Sequence, residues 1–130
     1  MKWFSLYCSV LIAVCLVACD DKGSHAEEVL RNALEALNKG DYDTYMSHVD
    51  YGAETDSASI MLMRDAIRQH CGWIAAKKGD VVAIDMVDTE MEEDTVCTVF
   101  YRYTFADGTE EVAAQKMVRS GGVWRLRVRN

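Results

Sequence analysis

The sequence predicts an α+β fold, with N-terminal helices packed on the concave face of a curved four-stranded antiparallel meander sheet. Apolar residues recur at helical spacing over residues 26–78 and alternate with polar ones after Gly79. Short turn signals separate the alternating segments, so neighbouring strands are expected to be antiparallel. The chain has 130 residues, half of them hydrophobic, and no proline. That length allows one small domain.

Three helices are predicted in the N-terminal half. Ser24 begins an S-x-x-E capping box, and the helix that follows ends at Gly40. Asp41 caps a short second helix whose apolar face extends to Val49. A longer third helix is expected over residues 57–78, where two lysines suit the negative end of its dipole.

Four strands are predicted after the helices. The clearest has an apolar face of Cys97, Val99, Tyr101, Tyr103 and Phe105. An acidic turn, an Asp-Gly hairpin turn and a Ser-Gly-Gly turn separate the strands. The predicted strands are residues 81–89, 95–105, 110–119 and 123–129, with the acidic turn at residues 90–94.

The N-terminal segment predicts a targeting signal. Lys2 precedes an uncharged run that is short for a membrane-spanning helix but typical of a signal peptide. The run ends in Leu-Val-Ala-Cys and resembles the lipobox of bacterial lipoproteins, in which the chain is cut before the cysteine and that cysteine is lipidated. The resemblance implies cleavage between Ala18 and Cys19, lipidation of Cys19, and a cell-envelope protein anchored to the inner or outer membrane, periplasmic or surface-exposed. Residues 1–18 would be the signal peptide, 19–24 the lipidated cysteine and tether, and 25–130 the domain.

A second resemblance concerns the domain. Residues 36–42 read Ala-Leu-Asn-Lys-Gly-Asp-Tyr, and this corner after the first helix resembles small lipoproteins of the nuclear-transport-factor-2-like superfamily. The resemblance implies a cone-shaped α+β fold with a pocket between the helices and the concave face of the sheet. That fold carries both enzymes and binding domains. No active-site motif of the superfamily matches, so no catalytic residue is carried over.

Aromatic residues are the candidates for the lining of such a pocket. The tyrosines on the strand alternate with valine and phenylalanine, which is more typical of lining than of catalysis. Asp43, His48 and His70 could carry acid–base chemistry, but each histidine is more simply an exposed or satisfied polar residue. His25 is expected in the tether. The candidate lining residues are Tyr42, Tyr45, Trp73, Tyr101 and Tyr103.

Two cysteines remain if the signal peptide is removed and Cys19 is lipidated. Cys71 lies on the apolar stripe of the third helix, and Cys97 lies on the apolar face of its strand. Outside the cytoplasm such thiols tend to oxidise. The sequence leaves a Cys71–Cys97 disulfide and two buried free thiols as alternatives. No metal-ligand spacing is present, and no cofactor is expected.

The net charge and the motifs of the sequence favour some classes of function over others. The net charge is −7, which disfavours nucleic acid as a partner. The sequence favours a non-catalytic domain that binds a small ligand or an envelope protein, held at the membrane through Cys19, with a second copy of the chain as a further candidate partner. The alternative is a small pocket enzyme of the isomerase or cyclase type that uses Tyr or Asp inside the cone.

Overall fold

The α+β class is confirmed by the structure, a computed structural model that describes residues 23, 25–52 and 55–128. The chain forms helices α1 and α2, then the short strand β1, then helix α3, and then the other four strands of one sheet. Helix α1 covers residues 25–38, α2 is Tyr42–Ser47 and α3 is Ser57–Lys78. The strands are β1 (Val49–Asp50), β2 (Val81–Glu93), β3 (Val96–Phe105), β4 (Glu110–Ser120) and β5 (Val123–Arg127).

The sheet has five strands and is mixed, so the prediction of four antiparallel strands was wrong. The strand order is β1-β5-β4-β3-β2, with β2 to β5 forming the predicted antiparallel meander. The additional strand β1 pairs in parallel with β5, and Val49 lies opposite Leu126. Two residues are too few to show an alternating pattern, so Val49 was assigned to the preceding helix. That helix in fact ends at Ser47.

The predicted acidic turn at residues 90–94 is also wrong, because β2 continues to Glu93. The β2–β3 register shifts at three places, and each shift interrupts the alternation that marks a strand in the sequence. The acidic side chains lie on an exposed edge strand, where charge is tolerated. Glu92 accepts a hydrogen bond from Thr98 Oγ1 at 3.2 Å and pairs with Lys116 Nζ at 3.4 Å.

The predicted helix boundaries around α2 and α3 are largely confirmed. Asp41 caps α2 by accepting a hydrogen bond from the backbone N–H of Thr44 at 3.2 Å. Asp56 caps α3 in the same way through Ser59 N–H at 2.8 Å. Gly79 ends α3 with a φ of 82°, a conformation that favours glycine. The capping box predicted at Ser24 lies outside the described residues.

The hydrophobic core lies between α1, α2 and one face of the sheet, called here the inner face, which carries Cys97, Val99, Tyr101, Tyr103 and Phe105. Helix α3 packs its half-buried Ile60, Met63 and Ile67 against this core. None of the 22 residues of α3, all of which are described, is fully buried. The main core cluster comprises Ala26, Leu30, Ala33, Leu34, Tyr45, Met46, Val49, Cys97, Val99, Met117, Trp124 and Leu126.

Candidate ligand pocket

A pocket of about 520 Å³ opens between the helices and the inner face of the sheet. The last turn of α1 forms one wall, and the C-terminal half of α3 forms another through Cys71, Ile74 and Ala75. The inner faces of β3 and β4 form the floor. Helix α3 buries none of its side chains completely, so its C-terminal half forms a wall of this space without filling it.

Four tyrosines line this pocket, and three of them also pack in or against the hydrophobic core. Tyr45 projects from α2, while Tyr101 and Tyr103 project from β3 with their ring centroids 5.4 Å apart. Burial, together with the nearby Tyr101, raises the pKa of Tyr45 to about 12. Burial is also the largest cause that raises the pKa values of Tyr101 and Tyr103. The phenols are therefore neutral at physiological pH, and each can donate or accept a hydrogen bond.

Charged residues of the lining lie at the mouth of the pocket. Lys39, Asp80 and Glu111 line it and are exposed. Glu111 Oε2 pairs with Lys78 Nζ at 3.1 Å. The charged side chains of the lining are therefore exposed, whereas its less exposed part is apolar or polar and uncharged.

Four of the five candidate lining residues meet in this pocket. They are Tyr42, Tyr45, Tyr101 and Tyr103. Trp73 does not line it, because this residue lies on the outward side of α3 and is 57% exposed. Apolar residues occupy so much of the circumference of α3 that the sequence does not indicate which of them face the sheet and which face solvent.

The candidate acid–base residues do not form a catalytic cluster. Asp43 is 79% exposed and pairs with Arg64 at 3.0 Å. His48 is the C-cap of α2. His70 lines the pocket but is exposed, and it stacks on Trp73 with ring centroids 6.4 Å apart. His25 lies in α1 rather than in a tether. Within the described residues, no group of three or more His, Cys, Asp or Glu side chains could hold a metal ion.

Of the two alternatives for the cysteines, the structure has the free thiols. Cys71 is half-buried in the wall of the pocket, and burial raises its thiol pKa. Cys97 is fully buried opposite Met91 and Met117. Burial and the carboxylates of Glu27 and Glu92 raise the pKa of Cys97 to about 11.

Two amide side chains, Asn38 and Gln115, also line the pocket and were not predicted from the sequence. A hydrogen bond from Asn38 to Tyr103 partly offsets the effect of burial on the pKa of that tyrosine. Gln115 Nε2 donates to the carbonyls of Lys116 and Arg127, each at 2.9 Å. Only the β3–β4 register, which places Gln115 opposite Val99 on the inner face, indicates its position.

Comparison with known proteins shows the fold. The chain matches no protein-family model and no curated protein. Three similar solved structures are a proposed NTF2-like transpeptidase from Campylobacter jejuni, an NTF2-like protein of unknown function from Shewanella oneidensis, and a ketosteroid isomerase-like protein from Erwinia carotovora atroseptica.

The Campylobacter structure has a TM-score of 0.67 at 18% identity and covers 79% of this chain and 97% of its own. The Shewanella structure has a TM-score of 0.58 at 14% identity, covering 80% and 93%. The Erwinia structure has a TM-score of 0.52 at 16% identity, covering 80% and 90%. The fold is therefore NTF2-like, as the residues around Gly40 suggested.

Proposed function

We propose that this chain is a lipid-anchored protein of the bacterial cell envelope whose NTF2-like domain binds a small ligand without transforming it. The pocket is the observation that carries the binding role. Its volume of about 520 Å³ falls in the range of small-molecule sites. Its apolar walls with a few polar groups are also typical of such sites.

The lining indicates the chemistry of the ligand. Neutral phenols and apolar side chains surround the inner part, so a charge placed there would lose its hydration without gaining an opposite charge. The inner part of the ligand is therefore uncharged and forms hydrogen bonds with the tyrosine hydroxyls. A charged end is accommodated only at the mouth, beside Lys39 or Glu111.

Binding is favoured over catalysis because the described lining lacks a buried proton acceptor. General acid–base catalysis needs positioned groups with pKa values near the working pH. The lining carboxylates, Asp80 and Glu111, and the lining imidazole of His70 are all exposed. The tyrosine cluster nevertheless favours an isomerase- or cyclase-type enzyme as the second candidate, because neutral phenols can stabilise a developing negative charge. A bound compound that is chemically altered on incubation would support this second candidate.

The binding role is tested with a dye and a pair of matched tryptophan variants. Ala113 lines the pocket, whereas Ala114 lies on the opposite face of the same strand, and both are exposed. We expect the neutral dye N-phenyl-1-naphthylamine to bind saturably to the wild type. In Ala113→Trp the indole ring should occupy part of the pocket, so the dye would bury less apolar surface there. We expect the dissociation constant of the dye to rise by about tenfold or more. Ala114→Trp should leave the affinity unchanged.

Absence of saturable dye binding, or equal effects of the two tryptophan variants, would contradict the binding role. Native mass spectrometry of protein purified gently from cells provides a second measurement. A retained small molecule that is lost from Ala113→Trp would identify the natural occupant of the pocket.

The anchor is proposed from the sequence, because Cys19 lies outside the described residues. Within the residues that the structure covers, no helix is both long and apolar enough to span a bilayer. We expect the wild type in the membrane fraction of the native bacterium as an acylated chain that begins at Cys19, and we expect Cys19→Ser to lack the acyl chains. Intact mass should show acyl chains on the wild type alone. A wild type without acyl chains would contradict the anchor and leave the binding role untouched.

A further inference from the structure

The outward face of α3 is unusually apolar. Helical residues advance by about 100° each, which aligns Leu62, Ala66 and Trp73 along one stripe. Leu62 is 70% exposed and Trp73 is 57% exposed. Ala58 and Ala76 extend the stripe toward the two ends of the helix and are exposed as well. A surface helix normally places its polar residues on this side.

We propose that two copies of the chain pair through this outward stripe, with their α3 helices antiparallel about a two-fold axis. The stripe is self-complementary in one register, in which Leu62 packs against the partner's Trp73. The same register places Ala66 opposite the partner's Gln69, and the symmetry repeats both contacts. Ala66 is small enough to let the two helix backbones approach closely at the centre.

The charges at the ends of α3 support this register. With Leu62 opposite the partner's Trp73, Lys77 lies about two residues, or roughly 3 Å along the axis, from the partner's Asp56. Asp56 is exposed at the N-cap of α3. Lys77 Nζ lies 4.1 Å from the centroid of its own Trp73 ring, so this cation already lies beside the proposed contact. Antiparallel helices also align their dipoles favourably.

The outer face of the sheet is less suited to pairing, because it carries ion pairs. Arg102 lies 3.6 Å from Asp85 and 3.8 Å from Glu110, and Lys116 pairs with Glu92. Burying these pairs against another copy would cost their hydration. In the proposed register the α3 stripe instead buries the uncharged Gln69, while Lys77 and Asp56 lie at its rim.

Sedimentation equilibrium of the full-length protein in density-matched detergent tests the pairing. We expect a wild-type dimer at micromolar concentration. Leu62→Glu places a charge in the stripe and should raise the dissociation constant at least about tenfold. Met61→Glu is the matched control, because Met61 is 67% exposed but projects away from the stripe. It should leave the dissociation constant unchanged.

A charge series tests the register. Lys77→Glu should weaken the dimer by repulsion from the partner's Asp56. Adding Asp56→Asn should restore much of the affinity, because asparagine keeps the helix cap while it removes the repulsion. A monomeric wild type, or equal weakening by Leu62→Glu and Met61→Glu, would overturn the proposal. A monomer that binds anionic vesicles only when Leu62 is intact would also overturn it, and would assign the stripe to a membrane surface.

Discussion

Tyr45 shows how one residue links the core to the pocket. Its ring belongs to the main core cluster, and its side chain also lines the ligand pocket. Tyr101 and Tyr103 continue the same aromatic surface along β3. Because the phenols are held away from water, ionising them in the folded state is unfavourable.

Replacing Tyr45 tests this link through pH. The pKa of Tyr45 is raised from 10.0 to about 12, so the folded state retains its proton after the unfolded state has lost it. The resulting stability is fully present below pH 10 and is lost as the pH rises toward 12. Between pH 10 and pH 12, the unfolding free energy of the wild type should fall. We expect the fall in Tyr45→Phe to be smaller than that in the wild type by about 2 kcal/mol. Urea unfolding at a series of pH values measures it.

A core variant without an ionisable group provides the control. Val99 is fully buried next to the tyrosines on β3. Val99→Ala should lower the unfolding free energy by about 1 to 3 kcal/mol at every pH and leave its pH dependence unchanged. An alkaline slope in Tyr45→Phe equal to that of the wild type would rule out Tyr45 as its source.

The end of α3 shows how one element determines where the sheet begins. Gly79 follows Lys78 with a φ of 82° and directs the chain into β2. A Cβ added to Gly79 would lie 2.9 Å from the Cβ of Ala106, in the β3–β4 hairpin. The close approach therefore fixes the helix end against the hairpin.

Two glycine-to-alanine variants separate strain from helix propensity. Gly79→Ala should lower the unfolding free energy by about 2 kcal/mol or more, because alanine disfavours this backbone conformation and contacts Ala106. Gly72→Ala, inside α3 with nothing within 4 Å of the added Cβ, should raise it by about 0.5 to 1 kcal/mol. Thermal and urea unfolding measure both. A neutral Gly79→Ala would show that the hairpin moves away without cost.

At the scale of the whole molecule, the domain has a tightly buried part and a loosely held part. Helix α1 and the inner face of the sheet contribute fully buried residues, such as Leu30 and Leu126. Helix α3 contributes none. Segments with few buried contacts open more readily than the core.

Thiol labelling measures this difference. We expect Cys71, half-buried in α3, to react with a maleimide in the folded protein at a reduced rate. Cys97 is fully buried and should react only on global unfolding. The single variants Cys71→Ser and Cys97→Ser assign each rate. Equal rates would contradict the difference, and an intact mass two hydrogens short with no labelling would show that the thiols form a disulfide.

The sequence by itself determined the fold class, the helix caps and the order of the meander. These features depend on local signals, such as the capping carboxylate of Asp41, the glycine after Lys78 and the alternation along β3. The tyrosines on the inner face of β3 were predicted for the same reason, since a strand fixes which side chains share a face. Cys19 and the signal peptide remain predictions from a local motif.

Only the tertiary structure decided the features that depend on distant partners. Strand β1 exists because Val49 meets Leu126, which lies 77 residues later in the chain. The position of Trp73 outside the pocket depends on how α3 is rotated against the sheet, and a helix with apolar residues around most of its circumference does not specify that rotation. The pocket is likewise a consequence of packing, because it is the space left between the helices and the sheet. The hydrophobic pattern of each helix or strand does not specify how far it lies from the others.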